Sequence, residues 1–281
     1  MKALPFKIPK PNQDALIYQV DLGVAFYDKL HQHEEIQLSL IVEGEGALIV
    51  GDSVNYYTRG NIVVIGSNIP HLFKSDITRF KNSKMISLFF TKSSFGNDFF
   101  ELEELKELDP FFKSAKHGFE VTSNLYHIKD CFFKLENASK LDRFLILLEV
   151  LKLCATSTHK NLSSFVSNKK YTDNEGRRMR NIFEYTINNY EKEVSLKTIA
   201  EVANMTKNAF CKYFKKRTNK TYFQFLNELR IENSCKHLHK NKDISITEIA
   251  EKVGFNNISN FNRQFKAIKK MSPSEFRKIK Y

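Results

Sequence analysis

The spacing of hydrophobic and polar positions changes twice along this chain. From Leu16 to Phe90 the apolar residues come in short runs: Gln37–Val42, Ala47–Val50, Ile62–Ile65 and Lys84–Phe90. The runs are cut by Gly44-Glu45-Gly46, Gly51-Asp52 and Arg59-Gly60-Asn61. Short β-prone runs separated by turn residues predict a small barrel or sandwich over residues 1–96. After Gly96 the period lengthens. Leu102, Leu105 and Leu108 fall three apart, and positions 141, 144, 145, 147, 148 and 151 follow a period near 3.6. Residues 97–155 are therefore read as helical. Residues 156–176 are polar and read as a linker.

From Arg177 the pattern is helical again, and it repeats. Val194-Ser195-Leu196-Lys197-Thr198-Ile199-Ala200-Glu201 matches Ile244-Ser245-Ile246-Thr247-Glu248-Ile249-Ala250-Glu251 at an offset of 50. Past the next turn the offset becomes 51. Phe210, Phe214 and Lys215 then fall on Phe261, Phe265 and Lys266, and Gln224-Phe225 on Glu275-Phe276. Two copies of one helical unit follow, with Tyr222–Lys240 as a long helix between them. The expected fold class is thus α+β and multidomain: a β-barrel followed by helices, then an all-α tandem domain at 177–281.

Charge divides the chain in the same place. The net charge of +12 is carried entirely by residues 177–281, which hold 23 Lys/Arg and 10 Asp/Glu. Residues 1–176 hold 21 and 22. The polyanion partner therefore belongs to the last third. Four cysteines lie far apart without a C-x-x-C pair, which suggests neither a zinc finger nor a disulfide framework and fits a reducing cytosol. No signal-peptide core follows Met1, and the longest apolar helical stretch, Phe144–Ala155, contains Glu149 and Lys152. A cytoplasmic protein without membrane contact is expected.

Each repeat has the parts of a helix-turn-helix. Ser195 and Ser245 are helix N-caps, the second completed by Glu248 into a capping box. Small Ala200 and Ala250 let the next helix cross closely. Asn204-Met205 and Gly254-Phe255 are turns whose first residue tolerates a left-handed backbone. In the second helix, Phe210/Phe214 and Phe261/Phe265 are four apart and point inward. The outward set is then Lys207, Asn208, Cys211 and Lys212 in the first unit, and Ile258, Ser259, Asn262 and Arg263 in the second. Asn pairs with adenine, Arg and Lys with guanine, and Ile touches a thymine methyl, so these are the candidate base readers. Candidate phosphate contacts are Ser195 and Ser245 at helix N-termini, together with Lys215, Lys216 and Lys266. Arg217, Lys220, Lys269 and Lys270 add to the sequence-independent attraction. Cys211 serves equally as a passive groove-facing residue.

These motifs resemble the tandem helix-turn-helix domain of AraC/XylS-type bacterial transcription regulators. The carrying residues are Ser195-Leu-x-x-Ile199-Ala200, Phe210-x-x-x-Phe214-Lys215, Leu229-Arg230-Ile231, Ile249-Ala250-x-x-x-Gly254-Phe255, Phe261-x-Arg263-x-Phe265-Lys266 and Ser272-Pro273-Ser274-Glu275-Phe276-Arg277. The resemblance implies one monomer reading two successive major grooves of promoter DNA. It also implies contact with RNA polymerase and, as the commoner sign, activation. Asn204 stands where a smaller residue is usual.

The first part carries its own chemistry. If His31-Gln32-His33-Glu34-Glu35-Ile36-Gln37 lies on a strand, then His31, His33, Glu35, Gln37 and Ser39 share one face. With His71 they make a candidate effector pocket inside a barrel. His31-x-His33-x-x-x-Gln37, the glycine turn, Gly60-Asn61 and Pro70-His71 resemble a cupin, the usual sensor partner of AraC-type domains. Three uses of the histidines remain open. One is an organic-ligand pocket, the reading carried forward. The second is a hydrogen-bonded structural remnant. The third is a divalent metal site with His31, His33 and His71 as ligands and Gln37 or Glu35 as the fourth. Enzymatic cupins carry Glu where Gln37 stands, so no cofactor is called for and no enzyme is expected. Rival readings are a metal-dependent enzyme fused to a DNA-binding domain, and a regulator whose barrel serves only oligomerisation or protein contact. Leu141, Phe144, Leu145, Leu148 and Leu151 form either a homodimer face or the side of a helix packed on its own barrel.

Overall fold

The computed structural model describes residues 14–78, 80–164, 173–240 and 243–279. Contacts divide the chain into two compact units, Met1–Gly51 with Asn55–Asp173, and Asn174–Tyr281 with Asp52–Val54.

In the first unit the strands are β1 (Ile17–Gly23), β2 (Ile36–Glu43), β3 (Gly46–Val50), β4 (Ser53–Tyr57), β5 (Ile62–Ile65), β6 (His71–Ser75), β7 (Ser83–Phe90), β8 (Phe119–Val121) and β9 (His159–Asn161). Its helices are α1 (Asp109–Ala115), α2 (Leu125–Lys134) and α3 (Lys140–Thr156). Among the described residues the strands form two sheets, in the orders β1-β7-β2-β5-β8-β9 and β4-β3-β6. Neither sheet closes among the described residues, so the expected barrel is not confirmed. Alternation along a strand puts every second residue inside a barrel and inside a pair of packed sheets alike, so the pattern does not separate them.

The six-stranded sheet is covered on both faces. Leu38, Leu40, Ile62, Val64, Ile86 and Leu88 join a core with Phe111, Phe132 and Leu151 of the helices. Ile41, Val63, Ile65 and Met85 point the other way and pack with Leu48, Val50, Tyr57 and Phe73 of the small sheet. Double coverage explains why β5 reads as an unbroken apolar run. Gly44, at φ +96, sits where β2 leaves one sheet and β3 enters the other, so the glycine turn is a corner between sheets and not a hairpin within one. Tyr57 is fully buried, with its hydroxyl 2.9 Å from the Ser75 hydroxyl.

Two strands lie where none is expected. β8 falls inside the segment read as helical, and β9 inside the segment read as a linker. Each has three residues, too few to carry a period of two, and β9 is exposed throughout. β8 pairs with β5 and with β9. Helix α3 runs to Thr156 and buries Leu147, Val150, Leu151 and Cys154. Leu141 and Leu145 stay 67% and 54% exposed. The expected apolar stripe is therefore split, with Leu151 inward and Leu141 and Leu145 outward.

From Asp173 onward the elements among the described residues are all helices: α4 (Asp173–Asn189), α5 (Leu196–Val202), α6 (Lys207–Thr218), α7 (Tyr222–Lys240), α8 (Ile246–Lys252), α9 (Ile258–Lys269) and α10 (Pro273–Lys278). Helix α4 starts within the polar segment read as linker and buries Met179, Ile182, Phe183 and Thr186. Residues 165–172 of that segment lie outside the described residues. Phe183 packs edge-on against Phe225, with ring centroids 4.9 Å apart. Helix α7 spans the residues expected of it, roughly 28 Å at the usual rise per residue.

Candidate functional site

The two helix-turn-helix copies share their first-helix cap and their turn hydrogen bond. Ser195 caps α5 by accepting from Thr198 N–H, and Ser245 caps α8 by accepting from Glu248 N–H. Each turn residue is left-handed, Asn204 at φ +51 and Gly254 at φ +90. The residue after it donates its N–H to the alanine carbonyl: Met205 to Ala200 and Phe255 to Ala250, both at 2.9 Å. The turn then differs by one residue. Thr206 caps α6, whereas Asn257 caps α9, which leaves Asn256 as the extra position and converts the offset from 50 to 51. Both second helices end on a left-handed residue, Asn219 and Lys270. Both copies then open a third helix with a reciprocal cap, Thr221 with Gln224 and Ser272 with Glu275. Thr206, Asn257 and the Thr221 cap were not singled out from sequence. The signal was present as a polar cap residue three before a bonded partner.

Phe210, Phe214, Phe261 and Phe265 are all fully buried. That fixes the rotation of α6 and α9 about their axes. Lys207, Asn208, Cys211 and Lys212 are consequently exposed on α6, and Ser259, Asn262 and Arg263 on α9. Ile258 is half-buried against the core of the second copy. Arg263 Nη2 donates to Asn260 Oδ1 at 2.9 Å, which holds the guanidinium along the helix surface. Lys215, Lys216, Lys266 and Lys270 are exposed near the C-terminal ends of α6 and α9. Not every expected cation is at liberty. Arg217 pairs with Glu175, Lys220 with Glu228 at 2.8 Å, and Lys269 with Glu232 at 2.6 Å. At Ser245 the backbone N–H is also taken, donating to Glu248 Oε2 at 2.8 Å.

The two capping boxes closed by a glutamate give a pH prediction. Hydrogen bonds from Ser245, its hydroxyl first and then its backbone, hold the Glu248 carboxyl below its ordinary value. The Ser272 backbone and then its hydroxyl do the same for Glu275. A depressed native value means stabilisation present above the unfolded value and lost as pH falls through the native one. The full chain and a Glu248→Gln, Glu275→Gln double variant should differ in urea midpoint at pH 7. The difference should close as the pH drops below about 4. A gap that persists at pH 3 would show that the carboxylates contribute nothing through these caps.

In the first unit, strand β2 begins at Ile36, so His31–Glu35 precede it rather than lying on it. The inward face is nonetheless shared. Gln37 Nε2 donates to Ser39 Oγ at 2.9 Å, and Ser39 Oγ is 2.7 Å from Ser87 Oγ. His31 and His71 form an isolated antiparallel bridge, His31 N–H to His71 O at 3.0 Å and the reverse at 2.8 Å. Their rings lie 4.2 Å apart, and the His33 ring is 5.0 Å from that of His71. Each ring donates from Nδ1 to a backbone carbonyl: His31 to Lys29, His33 to Glu35, and His71 to Ile69. The Glu35 carboxylate is buried 3.8 Å from His33 Nδ1. Burial, then the nearby His31 and His33, hold the His71 ring well below its ordinary pKa, so it is neutral at pH 7. The adjoining cleft, lined by Tyr27, His31, Gln37, Phe73 and Phe89 among others, measures about 50 Å³. Organic-ligand pockets usually measure about 300–1,000 Å³. The six expected pocket residues are thus brought near one another, but of them only His31 and Gln37 line the small cleft.

Residues 199–279 match the family model described as a helix-turn-helix domain. Over 92% of its length this chain is 23% identical to the HTH-type transcriptional regulator YdeC of Bacillus subtilis, covering 89% of that protein. It is also 23% identical over 92% of its length to the Msm operon regulatory protein of Streptococcus mutans, covering 88% of it. A solved transcriptional regulator with an AraC-type DNA-binding domain, from Chromobacterium violaceum, is 20% identical. That likeness covers 36% of this chain and 89% of the other, with a TM-score of 0.34. The C-terminal unit carries a helix-turn-helix domain, and the relatives matched along most of the chain are named regulators, not enzymes. Among the described residues no helix is long and apolar enough to cross a membrane.

Proposed function

We propose that the chain is a sequence-specific DNA-binding transcription regulator whose first unit senses a small ligand. One observation carries the DNA reading. Two copies of one cap, turn and cap geometry each bury a phenylalanine pair and expose a polar face on the following helix. In this reading α6 presents Lys207, Asn208, Cys211 and Lys212 to one major groove. Helix α9 presents Ser259, Asn262 and Arg263 to the next, with Ile258 at its edge. Lys215, Lys216 and Lys266 meet phosphates, and Ser195 and Ser245 orient the first helices toward the backbone. The ligand acts through its differential affinity for two arrangements of the protein. A cytoplasmic regulator that contacts RNA polymerase and activates follows from the AraC/XylS resemblance. Exposed Leu141 and Leu145 favour a homodimer through α3.

Capture of genomic fragments by the purified full chain, in moderate salt, tests the reading. A motif with two half-sites about one helical turn apart is the expected result. Binding without a motif, vanishing as salt rises, would reduce the basic unit to a polyanion patch and sink the proposal.

A further inference from the structure

We infer that strand β1 is a docking edge for a second copy of this chain. It pairs antiparallel with β1 of that copy about a two-fold axis at Val20, joining two six-stranded sheets into one. This deepens the homodimer reading above, rests on it only for the partner being a second copy, and gives the dimer a contact distinct from α3.

Strand β1 ends the large sheet, bonded to β7 on one side and to no strand on the other among the described residues. Its pairing with β7 runs without a shift from Ile17↔Phe89 to Gly23↔Ser83. The outer side therefore offers a regular ladder of N–H and C=O groups seven residues long. Soluble proteins usually blunt such an edge with a very short strand, a lysine, a proline or a bulge. The opposite end of the same sheet does so: β9 is the three residues His159-Lys160-Asn161. Strand β1, Ile17-Tyr18-Gln19-Val20-Asp21-Leu22-Gly23, has none of these devices. Val20 is 40% and Leu22 71% exposed, on the face they share with Tyr18. Tyr18 itself is covered by the guanidinium of Arg143, 4.3 Å from the centre of its ring.

The strand is complementary to itself. Residues opposed across a two-fold axis normal to a continuous sheet must share a face, so only positions of equal parity pair. Among those registers, the one centred on Val20 uses the whole strand. It sets Ile17 against Gly23, Tyr18 against Leu22 and Gln19 against Asp21, each twice. Side chains so opposed lie about 4.5–5.5 Å apart at Cβ. On one face Tyr18 then covers the exposed Leu22, and Val20 meets Val20. On the other, Gln19 Nε2 donates to Asp21 Oδ1 of its own strand at 2.7 Å. The amide keeps a second N–H and the carboxylate a second oxygen, and these meet across the axis. A register centred on Asp21 would oppose the two carboxylates, and one centred on Gln19 would set Asp21 against apolar Ile17. The axis leaves both copies with the same face upward, the face on which α3 packs, so pairing through β1 is compatible with contact between the two α3 helices.

The test is sedimentation equilibrium of the full chain in moderate salt, with Val20→Lys and Val20→Glu run singly and as an equal mixture. Each variant alone opposes two like charges at the axis and should weaken self-association about tenfold or more. The mixture opposes Lys to Glu and should return to within about threefold of the parent, which also shows that both variants fold. A parent monomeric at every concentration would overturn the pairing and leave the edge to another occupant, residues 1–13 of this chain or a different protein. So would Val20 variants that associate like the parent, or a mixture no stronger than its components. Leu145→Lys separates the two dimer readings. Association lost in Leu145→Lys and kept in both Val20 variants assigns the dimer to α3 and overturns the β1 pairing. Association kept in Leu145→Lys, with the Val20 variants behaving as expected, upholds the β1 pairing and removes only the α3 reading.

Discussion

Gly254→Ala should cost the helical unit about 2–5 kcal/mol, a large share of what a domain of this size has. Two terms add. Gly254 sits at φ +90, where an L side chain costs roughly 1–2 kcal/mol. An added Cβ would also lie 2.5 Å from the Tyr190 carbonyl oxygen and 3.0 Å from Arg230 Nε and Nη2. Neither neighbour yields cheaply. Arg230 Nε donates to that same carbonyl at 2.8 Å, its Nη2 donates to Lys192 O at 2.8 Å, and its guanidinium lies over the Phe255 ring. Relieving the clash therefore breaks the bonds that tie α7 to the end of α4. Overpacking of this kind adds about 1–3 kcal/mol. The urea midpoint by far-ultraviolet circular dichroism reads the effect. Asn204 is the control, because the matching turn at φ +51 already holds a side chain. Asn204→Gly should stay within about 0.5 kcal/mol of the parent. Equal midpoints for Gly254→Ala and the parent would mean that the turn does not have this backbone.

Arg263→Ala should lower affinity for the selected site by about 1–3 kcal/mol, roughly 5- to 150-fold, and relax the motif at one base position. Arg263 is exposed on α9 between two buried phenylalanines, Phe261 and Phe265, so its direction is set by the core. Its bond to Asn260 reduces the freedom lost on binding. Loss of a guanidinium fork removes both hydrogen bonds to guanine O6 and N7 together. Lys215→Ala provides the contrast. It should weaken all sequences alike and reduce the slope of log K against log salt by about 0.9. A motif unchanged at every position in Arg263→Ala would put α9 in the wrong place. A site-specific loss in Lys215→Ala would turn α6 about its axis.

The helical unit was largely legible from sequence because its determinants are local. Ser245 and Glu248 meet across one turn of helix, Phe261 and Phe265 across another, and Gly254 acts on its own backbone. The repeat doubled each signal, and the change of offset from 50 to 51 falls at the turn where the caps Thr206 and Asn257 leave Asn256 as the extra residue. What sequence overcounted was free charge. Arg217, Lys220 and Lys269 count equally in a sum, yet each is held by a carboxylate on α4 or α7. Ile258 was placed outward by spacing alone, and packing drew it halfway in.

The first unit was legible only strand by strand. Runs such as Ile62–Ile65 were found in register, but a period of two does not state what covers each face. Three-residue strands such as β8 and β9 carry no period at all; pairing with an existing sheet creates them. The amino-acid sequence by itself thus determined the first-helix caps and the turns of the repeat, which side of α6 and α9 is buried and which half is basic, because those depend on residues within a few positions of one another. The tertiary structure decided that the β-half is two open sheets and that the His71 ring meets those of His31 and His33, beside a cleft of about 50 Å³ that His31 lines. Those outcomes depend on chain segments some forty residues apart, brought together by pairing and burial that no local pattern encodes.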